Sequence, residues 1–151
     1  MDRAKRNQRP IGIIMLDIDH FKHFHDTFGH DAGDILLSEI GQFLQKYTRK
    51  QDVACRYGGE EFTLILPDAP LDATSQRAED LRLAVKHVLV KHQDRLLGPI
   101  SLSLGVAAFP YDGLTPTELL KAADEALFSA KAEGRDRVVA RGSMRTSDQT
   151  T

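Results

Sequence analysis

Two glycines followed by two acids, in Arg56-Tyr57-Gly58-Gly59-Glu60-Glu61-Phe62, carry the clearest chemical signal in this chain. The apolar runs Val53 to Tyr57 and Phe62 to Leu66 on either side have strand character, and a Gly-Gly pair between two such runs marks a tight hairpin. Both carboxylates are thereby expected at an exposed tip. Glycine lets a ligand come close to the backbone, and neighbouring acids repel each other unless a cation or a donor lies between them. The tip suits metal and phosphate; taken alone, it also fits an ordinary turn with solvated glutamates.

A second acid lies upstream. Ile11-Gly12-Ile13-Ile14-Met15-Leu16 is apolar at both parities, the pattern of a strand covered on both faces, and it stops abruptly at Asp17-Ile18-Asp19. A carboxylate there is costly unless it is solvated, hydrogen-bonded or metal-bound. Asp17 is the better ligand candidate, because it lies where the strand should emerge. Near the other end, Lys131 and Arg135 flank Gly134 at the close of a predicted helix, placed to reach an anion or simply to complement the negative end of the helix dipole. Arg49-Lys50-Gln51-Asp52 is, by itself, a solvated loop pair.

The elements that must position these groups follow from periodicity. Phe21, Phe24 and Phe28 give one helical face, which Gly29 can close with a left-handed cap. A second helix is expected from Asp34 to Tyr47, with Leu37, Ile40, Phe43, Leu44 and Tyr47 facing inward. A third is expected from Asp72 to about His92, burying Ala78, Leu81, Val85 and Val88. Ile100, Leu102, Leu104 and Val106 alternate with Ser101, Ser103 and Gly105, giving a strand whose second face admits close approach. Thr115-Pro116-Thr117-Glu118 supplies an N-cap, a first-turn proline and a capping-box glutamate for a helix running to about Glu133. Arg137 to Ala140 makes a last short strand. Residues Met1 to Pro10 could end a helix begun upstream, and Gly142 to Thr151 is a polar tail expected to fray. Strands separated by helices imply one central sheet with helices packed on it, partly antiparallel because of the hairpin.

At 151 residues and 41% hydrophobic, the chain has apolar matter for a single core. A net charge of -2 gives no reason to expect a nucleic acid polymer as partner, so any phosphate site must be local. The single cysteine, Cys55, rules out an intrachain disulfide and a cysteine-based zinc site; it is expected to be a small core residue. No apolar run approaches the ~20 residues needed to span a bilayer, and no signal peptide is apparent. A cytoplasmic domain is expected, either free or as part of a membrane-anchored chain. His20, His23 and His25 do not all share one helical face, so with His30 they make a poor transition-metal site.

Four ordered motifs then coincide. Asp17-Ile18-Asp19-His20-Phe21-Lys22, Asp26-Thr27-Phe28-Gly29-His30-Asp31-Ala32-Gly33-Asp34, the Gly-Gly-Glu-Glu-Phe heptad and Ala130-Lys131-Ala132-Glu133-Gly134-Arg135 together resemble the GGDEF-domain diguanylate cyclases, over about residues 10–140. The resemblance implies an α+β fold with a central mixed, largely antiparallel five-stranded sheet flanked by helices. Such a fold is akin to the nucleotidyl cyclase and polymerase palm, with a ferredoxin-like core. It implies condensation of two GTP molecules into cyclic di-GMP with release of pyrophosphate. By that likeness Asp17, the Ile18 carbonyl, Glu60 and Glu61 hold magnesium, with manganese the alternative ion, and Glu60 also helps activate the attacking 3′-hydroxyl. Backbone amides of His20, Phe21 and Lys22 would cradle terminal phosphates that Lys131 and Arg135 neutralise, with Gly58 and Gly59 leaving room for the nucleotide. Asp34 would read the guanine edge, and His25 stands where the family usually has asparagine. Arg49 and Asp52 would form an inhibitory product site.

One GTP per domain implies a homodimer for catalysis, with a sensory domain outside this chain as regulator. The family's usual opening segment, with an Asp-x-Leu-Thr-Gly-Leu-like motif and an Asn-Arg pair, is not found. The chain is therefore expected to be a shortened single domain over residues 1–141, with residues 142–151 as its tail. A catalytically silent module that binds GTP or cyclic di-GMP is the alternative reading.

Overall fold

A computed structural model describes residues 9–141; the helix end expected before Pro10 and the tail expected after Arg141 fall almost wholly outside them. Strand β1 (Ile11–Ile18) is the centre of the sheet, because its residues are apolar at both parities and each face needs a cover. The even face, Ile14, Leu16 and Ile18, packs on two helices, α2 (His30–Tyr47) and α3 (Leu71–Ala84), through Leu36, Ile40, Leu44, Ala78 and Leu81. The odd face, Ile13 and Met15, packs on α4 (Pro116–Ala132) through Leu119, Ala123 and Leu127. The short helix α1 (Phe21–Phe28) buries none of its residues fully; Phe21, Phe24 and Phe28 lie partly covered against the core.

The remaining strands are β2 (Val53–Gly58), β3 (Glu61–Pro67), the two-residue pair β4 (Lys91–His92) and β5 (Arg95–Leu96), β6 (Leu102–Phe109) and β7 (Arg137–Ala140). The main sheet runs β2-β3-β1-β6-β7. All of its pairings are antiparallel except β6 with β7. This is the α+β architecture expected, with helices on both faces of a mixed sheet. Among the described residues no helix is long and apolar enough to cross a membrane.

Several local expectations change. Helix α3 stops at Ala84, and a single 3₁₀ turn (Val85–His87) carries the chain into the β4–β5 hairpin instead of a helix to His92. The apolar spacing runs past the true end with no glycine to mark it, while the branched Val88 and Val90 favour extended backbone. Val88 takes ψ 124, and Gln93 and Asp94 make the turn at φ 53 and 62. Helix α2 begins one turn earlier than Asp34, at His30. Gly29 joins it to α1 at φ 97 and ψ 171, a positive-φ conformation but not a left-handed helical one. Tyr47 is half exposed and stacks on Phe43 at 4.7 Å. Cys55 is exposed rather than in the core, because β2 is an edge strand and leaves one side uncovered.

The start of α4 is fixed as its sequence requires: Thr115 Oγ accepts the Glu118 amide at 3.1 Å, and Glu118 reaches back to the Leu114 amide at 3.1 Å. How closely α4 approaches the sheet is set by Gly105. A Cβ there would run into the backbone of Leu127 and Ala123 and come within 2.8 Å of Ala126. Backbone cannot rotate aside as a side chain can. Gly105→Ala is therefore expected to destabilise the domain by about 1–3 kcal/mol in denaturant unfolding. Gly41→Ala, in α2 with nothing within 4 Å of the new methyl, should stabilise it by about 0.5–1 kcal/mol. Equal effects at the two sites would remove the close-approach account.

Candidate active site

Strand pairing alone brings the first acids together. Asp17 lies opposite Glu61 on β3 and opposite Ser103 on β6, and directly opposed residues of antiparallel strands point to the same face. Asp17 has the parity of Ile13 and Met15, so that face is the one α4 covers. Lys131, in the last turn of α4, forms an ion pair with Asp17 Oδ2. The other oxygen, Oδ1, is buried with no hydrogen-bond partner, and the residue is only 4% exposed. Burial pushes the Asp17 carboxyl up to about 6; Lys131 opposes the rise, and the charges of Glu60 and Glu61 add to it. The three carboxylates thus share one electrostatic environment.

The hairpin tip is tighter than the Gly-Gly reading supposed. Gly58 pairs with Glu61, so the two turn residues are Gly59, at φ 46, and Glu60. A bulge between Arg56 and Gly58 shapes the approach, and Arg56 Nε donates to the Gly59 carbonyl at 2.8 Å. A Cβ at Gly58 or Gly59 would meet nothing within 4 Å, so the backbone there is open to a ligand.

Among the described residues no three His, Cys, Asp or Glu side chains already stand close enough together to hold a metal ion. The donor chemistry nevertheless suits one: an unpartnered buried carboxylate oxygen, two further carboxylates and the carbonyl of Ile18 are all hard oxygens, as magnesium requires.

Other expected site residues lie on α1, on α2 and in the turns that follow β1 and α4. His20, at φ 59, precedes α1 without a side-chain cap, leaving the Phe21 and Lys22 amides uncapped by their own N-cap residue. Arg135 and Asp136 are also left-handed, at φ 63 and 48, in the turn from α4 to β7. His25 and Asp34 are linked through His30: His25 Nε2 lies 3.0 Å from His30 Nδ1, and His30 Nε2 lies 3.5 Å from Asp34 Oδ2. His25 fits over the bare Cα of Gly33, where a Cβ would sit 3.0 Å from its ring.

The Arg49 to Asp52 segment is more than a loop pair. Asp52's side chain is wholly buried and accepts the Arg49 amide at 2.8 Å and the Arg49 guanidinium at 3.2 Å. Arg77, from α3, donates to the same carboxylate at 3.2 Å and to the Tyr47 carbonyl at 3.0 Å. Nothing in sequence spacing singles out Arg77. A second network was equally hidden: Arg82 forks onto Glu79 at 2.7 Å and reaches Asp136 at 3.0 Å, where Lys86 joins it at 2.7 Å. It ties α3 to the turn that carries Arg135.

Comparison with known proteins places the whole of this sheet and its helices in one family. The family model described as "Diguanylate cyclase, GGDEF domain" matches residues 1–137. Response regulator PleD of Caulobacter vibrioides is 43% identical over 139 residues, covering 91% of this chain and 30% of PleD. Diguanylate cyclase A of Treponema denticola is 37% identical over 138 residues, covering 91% of this chain and 37% of its own. The chain therefore spans well under half the length of these curated relatives. Among solved structures, the GGDEF domain of DgcB from Caulobacter crescentus in complex with c-di-GMP superimposes with a TM-score of 0.87 at 33% identity, covering 93% of this chain and 83% of that one. The active GGEEF domain of a diguanylate cyclase from Vibrio cholerae gives 0.84 at 31% identity, covering 93% and 88%.

The α3 network should make the domain acid-sensitive. Arg82 holds the Glu79 carboxyl below the ordinary carboxylate range. Burial pushes the Asp136 carboxyl up, but Lys86 and Arg82 together outweigh it and leave it lowered. Each contribution is complete above the unfolded value of about 4 and is lost as pH falls through the depressed folded value. The melting temperature should drop in that window. Arg82→Met should flatten the drop while costing at most about 1 kcal/mol at neutral pH, since both carboxylates are 39% exposed. An equally steep acid limb in the variant would assign the sensitivity to other groups.

Proposed function

This chain belongs to the GGDEF-domain diguanylate cyclase family, and from that membership and the site geometry we propose that it condenses two GTP molecules into cyclic di-GMP and pyrophosphate. The observation that carries the reading is Asp17: a nearly buried carboxylate with one orphaned oxygen, opposite Glu61, influenced by Glu60 and faced by Lys131. Phosphoryl transfer needs alignment and charge stabilisation more than covalent help, and this arrangement offers both.

Asp17, the Ile18 carbonyl, Glu60 and Glu61 would hold magnesium, or manganese. When bound, the ion supplies neutralisation of phosphate charge and polarisation of the reacting oxygens. The chain's own groups do the rest. Glu60, on the open tip, accepts the proton of the attacking 3′-hydroxyl. The amides of His20, Phe21 and Lys22 meet the terminal phosphates, whose charge Lys131 and Arg135 offset. Asp34 accepts hydrogen bonds from the guanine edge, with His25 beside it and joined to it through His30. Gly58 and Gly59 give the nucleotide its room.

A domain that binds one GTP must meet a second copy, so catalysis is assigned to a homodimer, with control by a sensory domain beyond this segment. Arg49 and Asp52 form the product-inhibition site, and Arg77 steadies it from α3. The buried Asp52 and the Pro67 carbonyl hold the Arg49 guanidinium through Nε and Nη2 while the side chain stays 42% exposed, and a guanidinium suits a phosphate or a guanine edge.

Incubated with GTP and magnesium, at concentrations that favour dimers, the protein should yield cyclic di-GMP detectable by chromatography. Glu60→Gln should lower the rate by about a hundredfold or more with the fold intact by circular dichroism. A wild type that binds the dinucleotide through Arg49 yet makes none would instead be a binding module. Arg49→Ala should raise the concentration of added product needed for half-inhibition by about tenfold; unchanged inhibition would place the product site elsewhere.

A further inference from the structure

Asp19 is a carboxylate that the reaction leaves unused. It follows β1 immediately, two residues beyond Asp17, yet its partners are different. Its carboxylate accepts Ser101 Oγ at 2.6 Å, Ser103 Oγ at 2.5 Å and the backbone amide of Asp136 at 3.0 Å. Its own amide donates to the Ser101 carbonyl at 3.0 Å. One side chain therefore joins three segments: the turn from β1 into α1, the entry of β6, and the turn from α4 into β7.

The first and third of these segments hold non-glycine residues in left-handed backbone: His20 at φ 59, Arg135 at φ 63 and Asp136 at φ 48. Such conformations persist only where the surroundings over-determine them, and they concentrate at functional sites. Asp19 is covalently next to His20 and accepts from the Asp136 amide, so it fixes both turns against each other. Those turns carry the groups assigned to the terminal phosphates, namely the amides from His20 onward and the Arg135 guanidinium. Both Asp19 oxygens are already engaged by hydroxyl donors, which distinguishes it from Asp17 and its orphaned oxygen.

We propose that Asp19 is a positioning residue that sets the spacing between the two phosphate-binding turns, so that recognition of the triphosphate depends on it while recognition of the base does not. This rests on the cyclase reading above. Ser101 and Ser103 serve the same end by holding the carboxylate, and Arg82 and Lys86 secure the far turn through the Asp136 side chain.

The test is binding in the presence of magnesium, by calorimetry or ligand-observed NMR, of a non-hydrolysable GTP analogue and of GMP, alongside melting temperatures. In Asp19→Ala the affinity for the triphosphate analogue should fall about tenfold or more while that for GMP stays within about twofold. Asp19→Asn, whose amide oxygen can still accept from the Asp136 amide, should recover most of the loss. Ser103→Ala should shift the ratio of the two affinities in the same direction by less, and it decides the matter if Asp19→Ala does not fold. Parallel loss of both ligands, or an unchanged triphosphate affinity, would overturn the proposal. A wild type with no preference for triphosphate over monophosphate would overturn the cyclase reading together with it; a wild type with that preference and an indifferent Asp19→Ala would overturn the positioning role alone.

Discussion

The architecture depends on how a charged group is kept at the end of a strand with no wet face. Strand β1 has helices over both sides, so Asp17 inherits the enclosure that Ile13 and Met15 require. Burial of a carboxylate is unfavourable unless cations or donors meet it, and Lys131 answers only one of its oxygens. The Lys131 ammonium can reach Asp17 because α4 lies close on the sheet, and α4 lies close because Gly105 has no side chain to hold it away. A packing choice at one glycine is thereby transmitted to the electrostatics of the centre. The register of β1 with β3 completes the arrangement by setting Glu61 beside Asp17.

Those features with a local cause were legible in the sequence. The double-sided apolar run of β1, the hairpin with its acids, and the Thr115-Pro116-Glu118 start of α4 each carry their instructions within a few residues. Where the local signal was ambiguous, the structure departs from it. The apolar spacing at Val85 and Val88 suits a continued helix as well as a turn, and Cys55 is apolar in type but sits on an edge strand. Residues whose roles come from distant partners gave no signal at all. Arg77 meets Asp52, and Asp19 meets Asp136, Ser101 before β6 and Ser103 within it, across separations that no periodicity encodes. The candidate site was likewise proposed through a resemblance carried by four motifs, whereas the supports behind those motifs became visible only in three dimensions.

The helix α3 has a place in both polar systems. Arg77 engages the buried Asp52 beside Arg49, and about one and a half turns further along Arg82 engages Asp136, whose amide is held by Asp19. A rigid element that carries a contact to each system is the physical minimum for two sites to sense each other. Both arginines lie at the partly covered margin of α3, with side chains 26% and 18% exposed.

Asp17 and Lys131 come from nearly opposite ends of the domain, and the strand that carries the first is sandwiched between β3, formed in the middle of the chain, and β6, formed late. Contacts of such long sequence separation are closed late and slowly in folding. On a ribosome, β1 must therefore wait with one long edge and one apolar face uncovered until β6 and α4 have been synthesised. The candidate site cannot assemble in a partly made chain, so its geometry arises only with completion of the fold, and the interval before it is the period in which the nascent domain most needs shielding from aggregation.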